Sequence, residues 1–168
     1  MKMMTRLGIP LLLILIMGAF IVLRDRQEGH LTILTGNTAA RPVEVEPGRY
    51  QGAQCGMTLQ QARDSAQAIA PDGRTWFFDD VGCLALWLKD NRLQGDLVLW
   101  VFGRDTGDWL DARRAWYSRT DDTPMGYGFA AYSRPGETLV DFETMVDLMQ
   151  RDEDLTNPDT RQRLLGNN

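Results

Sequence analysis

Histidine and cysteine are nearly absent from this chain: one histidine, His30, and two cysteines, Cys55 and Cys83, stand among 168 residues. Zinc sites are built from several Cys and His at regular spacing, so the shortage argues against a zinc centre. It also leaves no Ser/His/Asp or Cys/His arrangement, because His30 precedes the part of the chain that reads as globular, and an enzyme is not expected. Basic residues are in deficit too, 18 Lys and Arg against 23 Asp and Glu for a net charge of −5. That balance lacks the clustered cationic surface nucleic acid requires.

Long apolar runs are equally scarce, and the single one is LGIPLLLILIMGAFIVL, residues 7–23. It falls slightly short of the roughly 20 residues that cross a hydrocarbon layer, a gap that snorkelling arginines and local bilayer thinning can close. A cleaved signal peptide would carry a shorter apolar region and a small-x-small cleavage site. The closing stretch FIVLRDRQ offers no Ala-x-Ala and no cysteine to lipidate, so residues 1–24 are expected to form an uncleaved N-terminal transmembrane helix. Positive charge at Lys2, Arg6 and the amino terminus exceeds that at Arg24 and Arg26. The expected location is therefore a bacterial inner membrane, crossed once, with the body of the chain in the periplasm.

Polar composition with scattered Gly and Pro reads residues 25–48 as a flexible tether. From Tyr50 the pattern becomes globular. SAQAIA and RTWFF flank a Pro71-Asp72-Gly73 turn and predict a hairpin over residues 65–78. Asp79 or Asp80 then caps a helix in which Val81, Leu84, Trp87 and Leu88 recur at helical spacing. LVLWVF and DWLDARRAWY predict a second hairpin that continues the sheet. In the last third MGYGFAAYS, TLV and DFETMVDLM read as strand, strand and a helix opened by Asp141. Laying Asp79 on Asp141 sets Cys83 on Met145 and Trp87 on Met149, which suggests a duplicated unit. The expected fold class is α+β, two related ββα-type halves with antiparallel sheet over residues 49–151, followed by a disordered tail over 152–168.

What the exported body does contain is sulfur: Cys55, Met57, Cys83, Met125, Met145 and Met149. Thiolate and thioether donors select Cu(I), a soft cation. Cys83, Met145 and Met149 lie in amphipathic helical patterns and read as core. Cys55 and Met125 sit in Gly/Pro-containing turns, QCGM and DTPMGYG, where side chains are presented rather than packed. Spacing alone leaves three readings of Cys55 open: core, metal ligand, or a disulfide with Cys83 in an oxidising compartment.

Four motifs in order, CGMT at 55–58, FDDVGC at 78–83, DWLDARRAWY at 108–117 and TPMGYGFAAYS at 123–133, resemble the NosL family, copper-binding accessory proteins of nitrous oxide reductase. The resemblance spans about residues 50–150. It implies a Cu(I) site using the cysteine of the first motif and the methionine of the last, here Cys55 and Met125, with Met57 as a helper. It further implies a metallochaperone that delivers copper to an exported cuproenzyme such as nitrous oxide reductase, a partner in denitrification, or to an oxidase CuA centre. Two features depart from the family pattern. The tie to the membrane is a helix rather than a lipid, and Ala53 stands where family members often carry histidine.

Overall fold

The computed structural model describes Met17, residues 30–91 and residues 96–166. The expected transmembrane helix therefore lies outside the described residues apart from Met17, and no described helix is long and apolar enough to cross a membrane. Among the described residues there are seven short strands: β1 (Ile33–Leu34), β2 (Ala66–Ile69), β3 (Thr75–Phe78), β4 (Val98–Phe102), β5 (Trp109–Asp111), β6 (Trp116–Tyr117) and β7 (Ala131–Tyr132). From residue 30 on, the described residues also carry the helices α1 (Val81–Asp90), α2 (Phe142–Gln150) and α3 (Pro158–Leu165). The main sheet is antiparallel in the order β1-β3-β2-β4-β5, and β6 pairs with β7 separately. The α+β class with an antiparallel sheet is as expected.

The first half forms as read. Gly73, at φ +82°, closes the turn between β2 and β3 and donates its N–H to Ala70 O at 2.9 Å. The chain then enters α1, whose N-cap Asp80 accepts the Gly82 N–H at 2.8 Å. Trp76 and Phe78 on one face of β3 pack with Val81, Leu84 and Trp87 of α1 in the main core. Phe77 points to the other face.

That second face overturns the tether. Phe77 is fully buried in a smaller cluster with Val45, Tyr50 and Leu59, and its ring stacks on Tyr50 at 4.0 Å. Gln67, also fully buried, accepts the Val43 N–H at 2.9 Å and donates to Val43 O at 2.6 Å. The Trp100 indole N–H reaches Ala40 O at 3.0 Å. Residues 30–48 are thus a cover layer, needed because β2 and β3 are buried on both sides. Val43 and Val45 are too isolated in sequence to show a period.

The second half departs from a simple copy. TLV does not pair with the MGYGFAAYS strand; Val140 pairs with Tyr117, which pairs with Ala131 as well, so β6 runs between the two segments. The helix opened by Asp141 does form, with the side chain accepting the Thr144 N–H at 2.9 Å, and it packs on α1. The tail expected to be disordered carries α3, capped by Asn157 with Pro158 at the first turn. Leu155 is 8% exposed and Thr160 2%, and the Leu155 N–H bonds to Tyr127 O at 3.1 Å, so the tail backs the 119–128 loop.

Candidate metal centre

The site is organised by two consecutive acids at the start of α1. Asp80 uses one oxygen to cap the helix and the other, Oδ2, to accept the Met125 N–H at 3.0 Å. Asp79 Oδ1 accepts the Cys55 S–H at 2.9 Å. Two turns far apart in sequence, one carrying Cys55 and the other Met125, are thereby fastened to one dipeptide. Neither turn is held by chance. Ala53 N–H bonds to Phe77 O at 2.8 Å, which lays the first turn along β3, and Gly126 at φ +71° closes the second by donating to Thr123 O at 2.9 Å.

Glycine is required at position 52 because a Cβ there would stand 2.8 Å from Cys55 Sγ and 3.3 Å from Asp79 Oδ1. The Cys55 sulfur accepts the Met57 N–H at 3.3 Å. Cys83, in the first turn of α1, completes a group: its Sγ, Cys55 Sγ and a carboxylate oxygen of Asp79 all lie within 4.8 Å of one another, a cluster able to hold a metal ion. Both cysteines are free thiols. Asp79 is 8% exposed, and its Oδ2 has no hydrogen-bond partner among the described residues. Buried carboxylate oxygens are seldom left in that state, because the missing bond costs free energy.

Electrostatics keeps the metal-free thiols protonated. Burial, then the hydrogen bond to Asp79, pushes the Cys55 thiol up, only partly opposed by the Met57 N–H and by Cys83. Burial pushes Cys83 far higher, with the neighbouring Asp79 and Cys55 adding to it. Tyr127, whose ring lies over Gly82, is raised to about 12, again chiefly by burial. A metal entering this pocket must displace thiol protons, so affinity falls as pH falls.

The sequence-derived site residues differ in exposure. Met125 is half-buried and borders the main core, as Cys55, Ala53 and Tyr127 do. Met57 is 47% exposed and lines a cavity of about 170 Å3 with Thr58, Leu59, Asp79 and Pro124. Asp79 and Cys83 were not read as site residues: one looked like a helix cap, the other like core. The available signal was the second acid of the pair: Asp80 caps the helix, so Asp79, just outside it, is left without a capping role.

No protein-family model, curated protein or solved structure matches this chain.

The Asp80 carboxyl is raised from 3.8 to about 6 because burial outweighs the hydrogen bonds from Thr123 and from the N–H groups of Met125 and Gly82. The folded state thus holds this proton more tightly than the unfolded chain. Its stabilising effect is complete below the unfolded value of 3.8 and is lost as pH rises through 6. Two pH units correspond to about 3 kcal/mol. Denaturation of wild type and Asp80→Asn between acid and neutral pH checks this: the wild type should lose that increment relative to the variant, and parallel curves would contradict it.

Proposed function

We propose that this protein is an exported, membrane-tethered carrier of one Cu(I) ion, which it holds at Cys55 with Met125 as the thioether partner and passes to a copper-requiring exported enzyme or its assembly complex. The observation that carries the reading is the shared Asp79–Asp80 fastening of the Cys55 and Met125 turns. Those are the two residues that the resemblance to NosL proteins implies as ligands. Soft donors favour Cu(I) over harder ions. Cys55 is only half-buried, so a recipient's ligands can reach the ion, and Met57 on the rim is the helper that hands it over. The N-terminal apolar run supplies the tether to the inner membrane, and nitrous oxide reductase is the recipient the resemblance favours.

A second reading, a thiol/disulfide module without metal, is favoured by the closeness of the two free thiols. A free-thiol count on protein purified without reductant separates them: two thiols per chain accords with copper carriage, none with the disulfide module. Cu(I) titration of the full chain in detergent against a chromophoric chelator tests the carrier directly. One ion per chain is expected, and Met125→Ala should weaken retention about 10-fold. A wild-type protein that never competes with the chelator refutes the reading.

A further inference from the structure

The geometry points to Cys83 as the second thiolate of the copper site, so that Cu(I) is held between Cys55 Sγ and Cys83 Sγ with the Asp79 carboxylate on its flank. This rests on the copper-carrier reading and specifies its ligand set.

Distance is the first argument. Two thiolates on opposite sides of a metal ion, each at a metal–sulfur bond of about 2.3 Å, stand up to about 4.6 Å apart. The two sulfurs here lie within 4.8 Å of each other, so the ion can enter with little rearrangement. Cys83 is 1% exposed and held on the first turn of α1, which fixes its direction without needing the metal.

Charge is the second. Cys55 and Cys83 each give up a thiol proton to solvent, one copper ion forms two Cu–S bonds, and no electron moves. The resulting unit carries one negative charge beside the Asp79 carboxylate, and the N-terminal end of α1 offsets part of that repulsion. Asp79 lies in the same cluster with one oxygen engaged by the Cys55 S–H and the other without a partner. When the ion replaces that proton, the Asp79 oxygen is freed to act as a weak, hard donor on the flank of the site.

Elimination is the third. Ala53 brings no imidazole, and His30 uses its Nδ1 on Gly48 O at 2.7 Å. Met57 is half in solvent. Besides the Met125 thioether, Cys83 is the second thiol that the fold places against Cys55 among the described residues.

Copper-edge X-ray absorption on the full-length Met57→Ala/Met125→Ala variant, loaded with Cu(I) alone in detergent, reads the sulfur neighbours directly. Two sulfurs at thiolate distance are expected from Cys55 and Cys83, falling to one when Cys83→Ala is added; a single sulfur before that addition, or two after it, overturns the inference. Chelator competition adds Cys83→Ala, with circular dichroism to verify folding: retention should fall about 100-fold or more. If folded Cys83→Ala retains Cu(I) like wild type while Cys55→Ser loses it, the second thiolate is refuted and the carrier reading stands. If Cys55→Ser also retains copper like wild type, both are refuted.

Discussion

Cys55→Ser is expected to weaken Cu(I) retention by about 1,000-fold, roughly 4 kcal/mol, with little change in stability. The serine hydroxyl can repeat the hydrogen bonds of the thiol to Asp79 and from the Met57 N–H. It cannot repeat what the thiolate does for copper, because a neutral hard oxygen replaces an anionic soft sulfur. A specific loss of metal without a loss of fold is therefore the signature. Chelator competition read beside thermal unfolding checks both halves, and a parallel drop in both would assign Cys55 to the core instead.

Arg104→Met is expected to cost about 3 kcal/mol of folding stability. Arg104 donates Nε–H to Asp64 Oδ1 at 2.6 Å and Nη2–H to Asp64 Oδ2 at 2.9 Å, a two-pronged pair that is nearly out of water. It also bonds to Asp122 O and lies 3.4 Å from Asp121. Removing the guanidinium strands a buried carboxylate, and Arg63, 3.7 Å away and mostly exposed, offsets only part of that. The same guanidinium holds the loop just before Met125, so copper retention should fall several-fold as the loop loosens. Asp64→Asn in the Arg104→Met background should restore part of the stability, since asparagine tolerates the positive φ of 64° at this position. Chemical denaturation measures each step; an Arg104→Met loss below about 1 kcal/mol would mean the pair is too solvated to matter.

Where the sequence carried a period or a cap, structure followed it. The Pro-Asp-Gly turn, the Val81, Leu84 and Trp87 spacing and the Asp141 cap each act within a few residues, so local chemistry decides them. The cover formed by residues 30–48 was not legible, because it depends on which faces of β2 and β3 remain uncovered after α1 packs, a question of tertiary arrangement. The helix that Asn157 caps was missed, because its polar surroundings read as a disordered tail. At the site, Cys55 and Met125 stood out because glycine and proline flank them. Cys83 did not, since a buried cysteine on an amphipathic helix looks the same whether it faces leucine or another thiol. Asp79 was obscured by Asp80, which does the capping while Asp79 turns to Cys55.

The most direct measurement is alkylation of Cys55, read by peptide mass mapping, on the full chain with and without one equivalent of Cu(I). The half-buried thiol should be modified in the metal-free protein and protected once Cu(I) is bound, with Mg2+ giving no protection. Equal modification with and without Cu(I) would show that copper does not reside at Cys55 and would contradict the carrier reading.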